Sequence, residues 1–288
     1  MFKGKENNVQ KDLDCFKAEL TESDFKAFSE FIYNEFGIKM PPIKRIMLQG
    51  RLLKRIRELN MQSYTEYKEY FFSKDGQEKE IFNFLNVVTT NKTDFFREPV
   101  HFDYLRDEIL PHFADNNRSL KIWSAGCSSG EEPYTISIVL NEFKNNNPLF
   151  SFSILGSDIS NKVLTTASKG IYNEHKVALL PLEMKKKYFL KSKDRENPSV
   201  RVKPELQKNI ALKYVNLMDN SYNVGDKFDV IFCRNVLIYF DRATQEKVIN
   251  KLCQYLKPGG IFFIGHSESL SGMNVPLKHI KPTIFLKE

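Results

Sequence analysis

From about residue 120 to the end, short apolar runs of strand length alternate with amphipathic stretches of helix length, and this alternation limits the fold more than any other feature of the chain. LKIWSAG, FSILGSD, IALKYVN, FDVIFCRN and GIFFIGH read as strands. Between them, EEPYTISIVLNEFK, NKVLTTAS and ATQEKVINKLCQYLK carry apolar residues at helical spacing. Strand–helix–strand repetition implies a parallel sheet covered by helices on both faces, an α/β architecture. The closing LKHIKPTIFLKE suits a hairpin strand. One stretch breaks the pattern. Residues 170–209 hold a helix and then KKYFLKSKDRENPSVRVKPELQ, which reads as paired short strands around a polar turn. It is expected to form a small insert in the main domain.

The first part of the chain is patterned differently. Residues 1–12 are polar and read as a flexible tail. In LTESDFKAFSEFIYNEFGI, Phe25, Phe28, Ile32 and Phe36 recur at helical spacing. Thr21 is placed to cap this helix, with Asp24 as capping-box partner, and Gly37 to end it. Pro41 and Pro42 open the next helix, IKRIMLQGRLLKRIREL. Its Leu52, Leu53, Ile56 and Leu59 fall on one side, and Lys44, Arg51, Lys54 and Arg55 on the other. A third helix follows around SYTEYKEYFF, then a break at SKDGQ. The expected organisation is a helical domain over 13–75, a linker helix over 76–90 and a main domain over 91–288. A chain of 288 residues suits this division, since single cores rarely grow beyond about 250–300 residues.

Composition narrows the functional classes. Hydrophobic content of 41% with 27% charged residues excludes wholesale disorder. No apolar run approaches the roughly 20 residues that cross a bilayer, and the start lacks the apolar core of a signal peptide, so a cytoplasmic protein is expected. Cys15, Cys127, Cys233 and Cys253 show no C-x-x-C spacing, and the histidines do not cluster in sequence, so no metal site is expected. The net charge of +7 suits nucleic acid, an acidic membrane or an acidic protein. Seven basic residues and no acidic one lie between Lys39 and Arg57.

The first strand of the α/β part ends in SAGCSSGEEP. A glycine-bearing turn there lets backbone approach a nucleotide-like ligand. Gly126 and Gly130 do not fit G-x-G-x-x-G, and Glu131 and Glu132 at the helix start would repel a phosphate. A nicotinamide dehydrogenase is disfavoured accordingly. S-adenosylmethionine, which has no phosphate, suits such a turn. Asp158, ending the second strand, is where a carboxylate usually holds a ribose diol. LKPGG at 256–260 is expected as a tight turn between a late helix and strand.

Four blocks resemble the chemotaxis-receptor methyltransferase (CheR) family: TTNKTDFFRE at 89–98, WSAGCSSGEEPYT at 123–135, FDVIFCRNVLIYFD at 228–241 and LKPGGIFFIGHSES at 256–269. Their order and spacing match from about residue 20 to the end. The resemblance implies a Rossmann-like S-adenosylmethionine-dependent methyltransferase domain with a small inserted β-subdomain, preceded by an all-α domain. It implies a cofactor pocket lined by Asn91, Thr93, Arg97, Glu132, Asp158, Asn216, Leu217, Arg234 and Asn235. The implied reaction esterifies glutamate side chains on the cytoplasmic helices of chemotaxis receptors for sensory adaptation, leaving S-adenosylhomocysteine. A glutamate carboxylate, with a reference pKa of about 4.3, is already ionised and needs no general base. Arg97 could hold it and Tyr239 could add a hydroxyl donor, as the catalytic pair. Lys44, Arg51, Lys54 and Arg55 would dock on an acidic receptor surface, recruiting the protein to membrane receptor arrays. Some relatives bind a receptor tail peptide at the edge of the inserted subdomain. The turn KSKDRENP has no glycine, so tail-peptide tethering is not expected here.

Two other readings remain open on the residues alone. A methyltransferase of nucleic acid or a small molecule would suit the basic helix, but RNVLIYF lacks the Asn/Asp-Pro-Pro-Tyr motif of base-amino methyltransferases. A silent S-adenosylmethionine-binding module would not need Arg97, Asn235 and Tyr239.

Overall fold

The computed structural model describes residues 19–114 and 119–288. The expected tail, residues 1–12, and Cys15 lie outside the described residues. The chain divides into two compact units, with the division between Thr90 and Asn91.

In the first unit, the helix Glu22–Phe36 begins where Thr21 Oγ1 accepts the Asp24 N–H at 3.1 Å. It ends at Gly37, whose φ of 68° lets its N–H reach the Tyr33 carbonyl. The Asp24 carboxylate accepts from Thr65 Oγ1 at 2.9 Å and from Lys68 Nζ, and so joins two helices. A 3-10 turn, Pro42–Lys44, leads into the helix Arg45–Glu58, which buries Leu48, Leu52 and Ile56. The helix Tyr64–Phe72 follows. At the expected break, Ser73 caps a short helix, Lys74–Lys79, and a further helix spans Ile81–Val88. A Cβ on Gly76 would fall 1.9 Å from the Tyr70 carbonyl oxygen, so only glycine fits this corner. Aromatic rings fill the centre, with Phe71 and Phe84 centroids 4.4 Å apart. Phe84 and Val88 thus share one core with Phe28, Leu52 and Tyr67.

Of the four cations expected on one solvent face, two are turned to their own unit. Arg55 makes a two-pronged pair with Glu80, Nε–Oε1 2.6 Å and Nη2–Oε2 2.7 Å, and its side chain is 14% exposed. Glu80 is itself buried and also accepts from Tyr67 at 3.0 Å. Arg51 donates to the carbonyls of Val88 and Thr89 and to Thr90 Oγ1. Helical spacing fixes which residues share a face, but it does not reveal that Glu80 arrives to neutralise that face. Lys54 stays exposed, and Lys44 Nζ reaches only the Lys39 carbonyl, at 3.4 Å.

The second unit is built on a seven-stranded sheet. Its strands are β1 (Leu120–Ala125), β2 (Phe152–Asp158), β6 (Ile210–Tyr214), β7 (Phe228–Cys233), β8 (Leu256–Ile264), β9 (Leu277–Lys281) and β10 (Ile284–Lys287). Their order is β6-β2-β1-β7-β8-β10-β9, parallel except for the terminal hairpin. Strand β7 is buried at every position, as an apolar run at a sheet centre should be. Phe232 and Phe263 stack at 4.3 Å within the core. The order reverses between β1 and β7, so a crevice opens at their carboxyl ends, where open α/β sheets bind ligands. LKPGG departs from expectation: residues 256–260 enter β8 itself, at an irregularity in its pairing with β7. Cys127, Cys233 and Cys253 are buried free thiols.

The insert is a three-stranded antiparallel sheet, β3-β5-β4, where β3 is Ile171–Asn173, β4 is Phe189–Lys191 and β5 is Ser199–Val202. The hairpin of β4 and β5 matches the sequence reading. Strand β3, too short to show a period, adds to the other edge of β5. One face buries Tyr172, Phe189, Val200 and Val202.

Asp24 carries a pH signature. Burial opposes its ionisation, but hydrogen bonds from Lys68, Thr65 and Thr21 outweigh it and hold the carboxyl below the ordinary range. Its stabilising effect is therefore complete above an unfolded value of about 4 and is lost as pH falls through the folded value. Asp24→Asn should cost about 1–2 kcal/mol at pH 7, and the gap to the wild type should shrink as pH is taken from 7 to 3. Thermal unfolding followed at both pH values checks this; a gap of equal size would contradict it.

Candidate active site

The expected site residues sit on loops at the carboxyl ends of β1, β2, β6 and β7 and on the segment that precedes the sheet. After β1 the chain turns at Gly126, φ 83°, where a Cβ would lie 2.3 Å from Val236 Cγ2. The helix Glu131–Asn146 then starts. Asp158 closes β2. Its Oδ2 accepts the Ser128 N–H and its Oδ1 the Ser160 N–H, each at 2.9 Å. Burial outweighs these bonds and raises the Asp158 carboxyl above its ordinary value. Ser128 Oγ donates to the Asn91 carbonyl at 3.1 Å, which draws the segment 91–98 to the same loop. Asn216 and Leu217 follow β6; Asn216 Oδ1 accepts the Met218 N–H, and Leu217 is buried.

A buried ion cluster gathers the rest. Arg234 leaves β7 with its side chain 2% exposed. Its Nη1 donates to Glu132 Oε2 at 2.8 Å, and its Nη2 donates to Glu98 Oε2 at 3.0 Å and to the Arg97 carbonyl. Glu132 also accepts from Ser124 Oγ at 2.7 Å. Glu98 Oε1 accepts from Asn235 Nδ2 at 3.2 Å and from the His266 N–H at 3.3 Å. Burial opposes the charge on Glu98, but Arg234 and Asn235 outweigh it and keep the carboxyl ionised below its usual range. Asn235 donates its own N–H to Glu268 Oε2 at 3.0 Å. His101, beside Glu98, is pushed down to about 3 by burial and by the charge of Arg234, so its ring is neutral.

Arg97 differs from Arg234. Its side chain is 36% exposed, with Nη1 on the Lys92 carbonyl at 3.0 Å and Nε 4.0 Å from Glu98. It is the cation of this cluster that faces solvent. Tyr239 lies in the 3-10 turn Leu237–Tyr239 after β7 and is half-buried. Thr93 is buried, and its carbonyl accepts from Lys176 of the insert.

Backbone strain marks the same place. Six described residues other than glycine have positive φ, and four of them, Phe96, Glu98, Ser128 and Asn235, belong to this crevice. Such conformations persist only where surrounding contacts hold them, and they gather at binding and catalytic sites.

Residues 23–89 match the family described as CheR methyltransferase, all-alpha domain, and residues 91–286 match CheR methyltransferase, SAM binding domain. The chain belongs to the CheR methyltransferase family. It is 38% identical over 274 residues to the chemotaxis protein methyltransferase of Borreliella burgdorferi, covering 93% of this chain and 95% of that one. It is 36% identical to the chemotaxis protein methyltransferase of Escherichia coli, covering 88% and 86%. The CheR match spans both units and leaves the nucleic-acid and small-molecule readings without support.

The crevice of this CheR protein fits S-adenosylmethionine. A carboxylate offers about four acceptor positions; the backbone N–H groups of Ser128, Ser160 and Ile159 engage Asp158, which leaves an acceptor position for a ribose hydroxyl. No glycine cradle for phosphate is present in the loop, since Gly126 and Gly130 abut Val236 and Ala167. Sequence reasoning missed Glu98, Glu268 and Lys176. Glu98 had a signal, a carboxylate beside the arginine of the 89–98 block; Lys176 had none, because its partners Glu131 and Asp94 are remote in sequence. Asp158→Ala should weaken S-adenosylhomocysteine binding by about 1–3 kcal/mol, through the released Ser128 loop as well as the lost diol contact. Calorimetry measures it, and unchanged affinity would remove Asp158 from the site.

Proposed function

We propose that this enzyme esterifies glutamate side chains on the cytoplasmic helices of chemotaxis receptors, the adaptation step of chemotaxis. The observation that carries the reading is the asymmetry of the two arginines. Arg234 is buried on Glu98 and Glu132, whereas Arg97 stands at the surface of the same cluster, 36% exposed, with Nη1 on the Lys92 carbonyl and donor positions left for a substrate carboxylate.

When bound, S-adenosylmethionine supplies a methyl group on a positive sulfur. The work left to the chain is orientation and removal of water. A substrate glutamate arrives ionised, so no base is required. Arg97 holds it in line with the methyl group, and Tyr239 adds a hydroxyl to fix the angle. The positive φ values at Phe96 and Glu98, on either side of Arg97, set the direction in which its side chain leaves the backbone. Asn91, Thr93, Glu132, Asp158, Asn216, Leu217, Arg234 and Asn235 would form the cofactor wall, with Arg234 acting from beneath it.

The helical unit, residues 19–90, is the proposed receptor-docking part. Lys44 and Lys54 would meet acidic receptor helices, while Arg51 and Arg55 keep the unit folded. Recruitment to membrane arrays would follow from receptor binding; no helix among the described residues is long and apolar enough to cross a membrane. Tethering by a receptor tail peptide is not part of the proposal. Asp194 closes the turn between β4 and β5 by accepting the N–H groups of Glu196 and Asn197, which replaces the missing glycine with a fixed, charged turn.

The test is incubation with methyl-labelled S-adenosylmethionine and receptor cytoplasmic fragments. Base-labile label on the receptor is expected; base-stable label or none would contradict the reading. In the same assay Arg97→Ala and Tyr239→Phe should each lower turnover at least about tenfold, or 1.4 kcal/mol, with a smaller effect on S-adenosylhomocysteine affinity. Wild-type turnover at saturating receptor in either variant would remove that residue from the mechanism.

A further inference from the structure

We infer that Glu98, His101 and His266 form a binding site for one divalent transition-metal ion of the Zn2+ type. The sequence hides this site, because the two histidines lie 165 positions apart. The fold brings one ligand atom from each residue within 4.8 Å of the others.

The strongest reason is an unpartnered nitrogen. The His101 side chain is 1% exposed, and its Nδ1 has no hydrogen-bond partner. The ring's tautomer follows from its other side. Thr283 Oγ1 donates to the Pro282 carbonyl at 2.6 Å, so it can only accept from His101 Nε2, 2.7 Å away. The proton of the neutral ring is therefore on Nε2, and Nδ1 presents a lone pair. That lone pair faces Glu98 Oε2 at 3.6 Å. Two acceptors directed at one another are unfavourable with nothing between them, and a cation between them removes the conflict.

The arrangement also has the form of a metal site. Glu98 precedes the helix Val100–Tyr104 with φ 57°, and this turn brings its carboxylate 3.6 Å from Nδ1 of His101 in the helix. His266 comes from the end of β8, with its ring 5.3 Å from that of His101. It is exposed, so it can turn to complete the set and leaves a path from solvent. Ligand atoms around a tetrahedral zinc stand about 3.3 Å apart, close to the present His101–Glu98 separation. Metal-bound histidines usually donate their second nitrogen to an oxygen, and Thr283 already takes that place. Two imidazoles and one carboxylate select Zn2+, Fe2+ or Co2+ over Mg2+ or Ca2+.

Arg234 lies 3.0 Å and Arg97 4.0 Å from Glu98, and both oppose a cation. The charge of Arg234 is shared with Glu132, and Glu268 lies on the far side of Asn235 and Gly265. Glu98 and Glu132 balance the two guanidinium groups, so the pocket receives a divalent ion from neutrality and not against a net positive charge.

Co2+ is the direct probe, because its visible absorption reports tetrahedral or five-coordinate nitrogen ligation. Untagged, chelator-treated full-length protein should bind one Co2+ per chain, and Zn2+ should displace it with micromolar or tighter affinity. His266→Ala, a change at an exposed side chain, should weaken Zn2+ binding at least tenfold without shifting thermal unfolding of the metal-free protein. No saturable Co2+ or Zn2+ binding would overturn the inference, and so would wild-type Zn2+ affinity in His266→Ala. Neither readout depends on methyl transfer, so the proposed reaction can fail while the site stands, and the reverse.

Discussion

The bridge from Arg234 to Glu98 and Glu132 is the interaction on which the site depends. It ties together three pieces of chain that the sequence keeps far apart: the segment before the sheet, the helix that follows β1 and the end of β7. Taking three charges out of water is costly, and hydrogen bonds to the remaining positions offset part of the cost. Here Ser124, Asn235 and the His266 N–H serve the two carboxylates, while Arg234 Nε is buried without a partner. Removing one partner would leave a buried charge without a counterpart, so the three pieces hold or fail together.

This bridge explains why the crevice can carry so much backbone strain. Phe96, Glu98, Ser128 and Asn235 all adopt positive φ without being glycine. Each is next to a fixed anchor: Glu98 on Arg234, Asn235 on Glu98 and Glu268, Ser128 on Asp158. Phe96 donates its N–H to Thr135 of the helix after β1. The anchors hold the strained residues, and the strained residues aim Arg97 outward while Arg234 stays beneath. Two arginines of one cluster thereby sit in different surroundings, one exposed and one buried.

How much of this could be read in the chain depends on the range of the signal. The strands of the sheet were legible because their apolar runs are local, and the helix caps at Thr21 and Gly37 because capping is local too. The position of Asp158 was legible because it ends the apolar run of the second strand. The fate of Arg55 was not, since its partner Glu80 lies 25 residues away on another helix. Strand β3 was hidden because three residues show no period. LKPGG was misplaced because a proline and two glycines suggest a turn, although an irregular strand start accommodates them equally well. Glu98 and His266 show the limit most clearly, since their meeting is a product of the sheet order alone.

S-adenosylhomocysteine affinity in Arg234→Lys tests the two-armed bridge directly. Lysine keeps the charge but cannot span two carboxylates as the planar guanidinium does. At least about a tenfold loss of affinity, 1.4 kcal/mol, is expected, with the far-ultraviolet circular dichroism of the wild type retained. Wild-type affinity in Arg234→Lys would show that charge alone suffices and that the two-armed bridge does not organise the site.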